Sequence, residues 1–124
     1  MPSRQPSEPS TLELKIMLVI IRQHPHAYGV SIQEGLAQHG NGKQHALGSI
    51  YAALERLEEK RFVKSSLGAP SAERGGKRKL YFELTTVGSA VVQNCLNTFD
   101  ALRTSSKLAG VYSLSANLGL NLRK

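Results

Sequence analysis

A chain of 124 residues, 40% hydrophobic and 20% charged, has the size and make-up of one globular domain and is too short for two independent cores. A single cysteine excludes an intrachain disulfide, the longest apolar run (Ile16 to Ile21) is too short to span a bilayer, and the N-terminus lacks the apolar segment of a secretory signal, so a cytoplasmic, nucleoid-associated location and no membrane partner are expected. The net charge of +7 is unevenly spread: residues 60–79 hold seven basic side chains and one acid, the rest nine basic and eight acidic, so nearly all the excess lies on one stretch, as expected of a polyanion-binding surface.

Residues 1–9, with three prolines, are expected to form a mobile arm. Ser10-Thr11-Leu12-Glu13 fits a capping box, which starts a first helix at Thr11; Pro25 ends it near Gln23 by disfavouring helix at His24. Its apolar residues cover more than one face. A second helix is expected at about Val30 to Gln38, and Gly40-Asn41-Gly42-Lys43 is a turn signal. The third helix, about Ala46 to Arg61, places Leu47, Ile50, Leu54 and Leu57 in one stripe at helical period. FVKSSLG and KRKLYFELT read as strands around the Pro- and Gly-punctuated basic loop APSAERGGKR. Thr85 then caps a fourth helix from Thr86 to about Ser105, whose Val87, Val91, Cys95, Phe99 and Leu102 recur at spacings of 4, 4, 4 and 3. An apolar face so broad, with little chain left to cover it, reads as a dimerisation surface; Leu12 and Ile16 of the first helix are assigned to it as well. The tail, 107–124, fits neither helix nor strand cleanly and is expected to be helical or disordered.

The expected fold is therefore mainly α with a two-stranded β-hairpin wing: a winged helix-turn-helix over residues 10–85 and a C-terminal dimerisation helix over 86–106. The residues also carry a family resemblance. Gly48-Ser49-Ile50-Tyr51-Ala52-Ala53-Leu54-Glu55-Arg56-Leu57-Glu58 resembles the recognition-helix signature of PadR-type transcriptional regulators, roughly G-[ST]-[IL]-Y-P-A-L-x-R-L-E. Lys79-Leu80-Tyr81-Phe82-Glu83-Leu84-Thr85-Thr86-Val87-Gly88 resembles that family's wing strand and cap, roughly R-K-Y-Y-x-L-T-x-x-G, and Tyr28-Gly29 matches its Y-G pair. The motifs fall in the family's order and cover about Leu12 to Phe99. Ala52 departs from the usual proline and Leu80 from the usual lysine. The short chain resembles the small subclass with a single C-terminal helix. The resemblance implies a transcriptional regulator, a repressor above all, that binds double-stranded DNA as a homodimer and responds to a small apolar or phenolic effector.

The helical wheel points the same way. With the leucine stripe of the third helix facing inward, the opposite side carries Gly48, Ser49, Ala52, Glu55, Arg56 and Glu59. The acids lie toward the C-terminal end and would repel phosphates, so the helix should enter a major groove N-terminus first. Gly48 and Ala52 allow close approach; Gln44, His45 and Ser49 offer donors to base edges. Lys43, Arg56, Lys64, Arg74, Lys77, Arg78 and Lys79 are assigned to the DNA backbone, together with Tyr51, whose hydroxyl reaches a phosphate as the resemblance implies. A dimer would take an inverted-repeat operator.

Other readings are weaker. His24, His26, His39 and His45 lack acidic or cysteine partners at ligand spacing, so no metal and no cofactor are expected. No phosphate-binding glycine loop, nucleophile elbow or paired carboxylates suggest an enzyme. The rival is a winged-helix protein-interaction module that acts through its apolar C-terminal helix, without specific DNA binding; a regulator of another winged-helix family, such as a MarR-like one, predicts the same DNA chemistry.

Overall fold

Local rules set most of the helices. In the computed structural model, which describes residues 8–40, 42, 44–70 and 78–104, the elements run α1 (Thr11–Gln23), β1 (Ala27–Tyr28), α2 (Gly29–His39), α3 (Leu47–Glu59), β2 (Val63–Leu67), β3 (Leu80–Leu84) and α4 (Thr86–Arg103). The expected tail, 107–124, and the N-terminal arm up to residue 7 lie outside the described residues. The chain divides into two compact units inside α4, the first ending at Val92 and the second starting at Gln93.

α1 starts on the expected capping box: the Ser10 amide donates to Glu13 Oε1 at 3.0 Å and the Glu13 amide donates to Ser10 Oγ at 3.2 Å. α1, α2 and α3 pack on one another and on the sheet around Ile16, Met17, Ile20, Ile32, Ile50, Leu54 and Leu57, all at most 1% exposed. The leucine stripe of α3 faces this core as expected, with Ala53 added to it and Leu47 only partly covered. Ile16 is a correction. Its exposure is 0% within the chain itself, so it is a core residue and has no surface to offer a partner.

The sheet has three strands in the order β1-β3-β2, both pairings antiparallel, where a two-stranded hairpin was expected. Ala27 pairs with Phe82 and Tyr28 with Tyr81. A strand of two residues has no periodicity, so nothing in the sequence announces it.

The end of α3 falls two residues before the expected Arg61. The Arg61 amide donates to the Glu58 carbonyl and the Phe62 amide to the Leu57 carbonyl, both at 3.0 Å, and Arg61 has φ of 67°. This is a Schellman ending with an arginine where glycine is usual, which hides the stop signal. The next step is equally tight. Thr85 Oγ1 donates to the Arg61 carbonyl at 2.7 Å and accepts from the Gly88 amide at 2.9 Å, while the Thr85 amide donates to the Phe62 carbonyl at 3.0 Å. A Cβ on Gly88 would lie 2.0 Å from the Phe62 carbonyl oxygen. The Thr-x-x-Gly pair therefore clamps the start of α4 to the turn after α3.

Glu13 has a second role that the capping box concealed. It is the one buried charged side chain among the described residues, at 1% exposure. Its carboxylate accepts from Arg56 Nε at 2.8 Å and from Lys60 Nζ at 2.6 Å. Burial alone would push this carboxyl up, but the bonds from Lys60, Arg56 and the Ser10 amide outweigh burial and hold it below its ordinary value.

Glu13→Gln keeps a capping side chain but strands the Lys60 ammonium, whose side chain is only 10% exposed. It should cost roughly 3 kcal/mol near neutral pH, the low end for breaking a buried ion pair, because Arg56 stays half in water. A lowered folded-state pKa stabilises the fold above the unfolded carboxyl's titration and is lost as pH falls through the folded value, so urea denaturation should find the two proteins converging in acid. Arg61→Gly should stabilise by about 0.5–1 kcal/mol in the same assay, since glycine adopts positive φ without a Cβ clash.

Candidate nucleic-acid interface

Seven residues, 40–46, separate α2 from α3, and bonds to α2 reach two of the described ones. Gln33 Nε2 donates to the His45 carbonyl at 2.8 Å, and the Gly42 amide donates to the Ala37 carbonyl at 3.1 Å. The chain enters α3 through extended Ala46, which caps no amide with its side chain. The first turn of α3 thus presents backbone donors and the positive end of the helix dipole with no acid beside them.

The expected base readers sit around this entry. Gln44, Gly48, Ser49 and Ala52 are exposed and His45 is half-buried. Open space surrounds the Cβ position of Gly48, so close approach is sterically free there. Glu55 and Glu59 are exposed further along the same face, so charge along α3 becomes unfavourable to phosphate in the direction expected.

Tyr51 is 45% exposed, and its ring lies over the start of α2: a Cβ on Gly29 would fall 2.2 Å from its hydroxyl oxygen. Two separate motifs, Tyr28-Gly29 and the Tyr51 of α3, are thus halves of one contact. The pair also anchors α2. The Tyr28 amide donates to Ser31 Oγ at 2.9 Å, and the Ser31 hydroxyl donates to Gln23 Oε1 at 2.7 Å, tying α2 to the end of α1.

The cations assigned to the DNA backbone are more committed than a charge count suggests. Arg56 is a correction in emphasis: its Nε is held by Glu13, although about half of its side chain is exposed. Lys60, counted in the basic stretch, is largely covered on the same carboxylate and does not belong to the wing surface. Lys64 Nζ stands 3.6 Å from Glu83 Oε2 on the neighbouring strand, both side chains largely in water. Arg78 Nε donates to the Gly68 carbonyl at 2.8 Å, closing the base of the hairpin. Lys79 Nζ lies 4.1 Å from the centre of the Tyr28 ring, a cation–π contact. Tyr81 meets both Tyr28 and His26 edge-on, at 6.1 and 5.9 Å between ring centres. This aromatic group, seated on the strand pair that the sequence did not announce, holds Lys79 beside the sheet. Lys43, Arg74 and Lys77 lie outside the described residues.

Gln33 and Glu13 are the residues that sequence reasoning missed. Gln33 acts through a backbone carbonyl, which leaves no pattern. Glu13 did leave one: Arg56 and Lys60 are four apart, one turn of α3, and need an anion.

On α4, Val87, Phe99 and Leu102 are 54–64% exposed, while Val91 and Cys95 are partly covered; Leu12 of α1 is partly covered too. Among the described residues no group of three His, Cys, Asp or Glu side chains could hold a metal ion, and no helix is long and apolar enough to cross a membrane.

Comparison with known proteins gives a consistent result. No curated protein sequence matches the chain. A regulator from Streptococcus shares 26% identity over 82% of this chain and 91% of its own, with a TM-score of 0.62. A PadR-like transcriptional regulator from Bacillus cereus shares 25% identity over 75% of this chain and 84% of its own, also at 0.62. Bacillus subtilis PadR, solved in complex with operator DNA, has the same fold at 17% identity and a TM-score of 0.58, over 69% of this chain and 46% of its own. The transcriptional regulator PadR-like family model matches residues 17–94, more than half of the sequence, and the chain belongs to that family.

Proposed function

We propose that this protein is a sequence-specific DNA-binding regulator, acting as a repressor, that takes an inverted-repeat operator as a homodimer in the cytoplasm. The carrying observation is the entry to α3: a helix start with no side-chain cap and no acid, exposed beside Gln44, Ser49 and Gly48 and opposite the buried Ile50, Leu54 and Leu57. Its dipole favours phosphate, and its small residues let the backbone come close to base edges. The operator complex of Bacillus subtilis PadR supports the reading by fold.

In this reading Gln44, His45, Gly48, Ser49 and Ala52 meet the bases. Lys43, Tyr51, Lys64, Arg74, Lys77, Arg78 and Lys79 hold the backbone, and Arg56 serves Glu13 first. Lys64 must exchange Glu83 for a phosphate, and at 3.6 Å between two exposed groups that exchange costs little. The exposed Val87, Phe99 and Leu102 of α4, with Leu12, Val91 and Cys95, supply the dimer face, and a small apolar or phenolic effector acts near it.

The test is binding to random and candidate-promoter duplexes over a salt series. Affinity should fall steeply with salt and be higher on the promoter; salt-insensitive or absent binding would replace this reading with a protein-interaction module. Lys77→Ala with Arg78→Ala should weaken binding to every sequence and lower the salt slope by roughly one unit per lost phosphate contact, and an unchanged slope would remove the wing from the interface. Ser49→Ala should instead narrow the preference for the promoter over random DNA by about 1 kcal/mol or more, read from the ratio of the two dissociation constants; equal loss on both would sink base readout at that position.

A further inference from the structure

A groove that the DNA reading touches only at His45 lies between α1 and α2. It is open on one side and encloses about 660 Å³, within the size range of small-molecule sites. Its floor is aliphatic, made by Leu18, Val19 and Leu36. Gly35 brings the two helices together beneath it: a Cβ there would fall 2.9 Å from both Val19 Cγ1 and Gln23 Nε2.

The rim carries two cations and two imidazoles. Lys15 and Arg22 lie two turns apart on α1, His39 ends α2, and His45 stands at the entry to α3. No acidic side chain lines the groove among the described residues. Val19, Arg22, Gly35 and His39 also border an adjoining recess of about 260 Å³, whose other walls are the amides Gln23 and Gln38. An apolar trough thus runs into a polar, basic end. No Phe, Tyr or Trp lines either part; the rings there are the imidazoles of His39 and His45 at the rim, and the floor is aliphatic.

We propose that this groove binds a long-chain aliphatic carboxylate, with its hydrocarbon on Leu18, Val19 and Leu36 and its carboxylate at Arg22 and His39. Arginine suits a carboxylate because its planar fork can donate two parallel bonds, and a charge-assisted bond at the edge of an apolar trough is stronger than one in open water. The site is separate from the exposed α3 face, although His45 belongs to both neighbourhoods, so a bound chain would lie beside the turn that leads into α3.

The experiment titrates the full chain with dodecanoate, below its micellar concentration and without DNA, by calorimetry; its outcome is therefore independent of the DNA reading. Saturable binding of one dodecanoate per chain is expected, at least about tenfold weaker in Arg22→Gln, and in Lys15→Gln with Arg22→Gln, the loss of one charge-assisted bond. Both positions are exposed, and unchanged circular dichroism and melting would show that the variants fold. Dodecanol should bind at least about tenfold more weakly than dodecanoate for the same reason. Leu18→Asn, which removes floor without touching the cations, should weaken dodecanoate as well. No binding, binding indifferent to these substitutions, or equal binding of dodecanol would overturn the proposal. So would a fall in oligomer mass on sedimentation of the Leu18 and Arg22 variants with no effect on dodecanoate, which would make the groove an interface between copies of the chain.

Discussion

A carboxylate with almost no access to water fixes where α1 and α3 meet. Glu13 lies in the first turn of α1, and Arg56 and Lys60 lie one turn apart near the end of α3, so the cluster joins residues more than forty positions apart. Such a cluster is poor evidence of net stability, because desolvating the charges costs about as much as their attraction returns. Its effect is positional. Any sliding of α1 against α3 would leave Glu13 or Lys60 charged and unpaired in the interior, and that cost is steep where a purely apolar contact would tolerate some slippage. The Ser10 cap adds to this by fixing where α1 begins.

Three close approaches position the neighbouring elements. Gly29 makes room for the Tyr51 ring, Gly35 for the crossing of α1 and α2, and Gly88 for the carbonyl of Phe62. At Gly88 the obstacle to any Cβ is backbone, whereas at Gly29 and Gly35 it is a side chain that would have to shift. The exposed face of α3 is thus set indirectly, by where its neighbours are pinned. The Gln33 bond to the His45 carbonyl continues the same logic, tying the entry of α3 to α2.

Charge is distributed by the fold as well as by composition. Residues 60–79 hold most of the surplus, but Lys60 is neutralised inside, Lys64 faces Glu83, and Lys79 rests on Tyr28. The solvent-facing Lys64–Glu83 pair is weak and readily exchanged for another anion, whereas the buried pair is not. The basic segment therefore contains side chains of two sorts: some available to a ligand at little cost, others part of the scaffold. Sequence cannot separate them, since both are lysines and arginines in one run.

By itself the sequence determined the elements whose cause is local. The capping box set the start of α1, Pro25 its end, the 3.6-residue period the buried stripe of α3, and Thr85 the start of α4. Local motifs also sufficed for the PadR-like resemblance and for the polarity of α3, since charge along one helix needs no tertiary information. What only the tertiary structure decided depends on residues far apart in the chain. β1 exists because Ala27 and Tyr28 find Phe82 and Tyr81, and two residues carry no period. The true end of α3 is set by bonds to Thr85 around an arginine at positive φ, where no glycine marks the stop. Ile16 reads as surplus apolar surface on a helix wheel, yet it is core because α1 is covered by α2, α3 and β3 together. Glu13 reads as a cap, which it is, and only the approach of α3 turns it into a buried counter-ion.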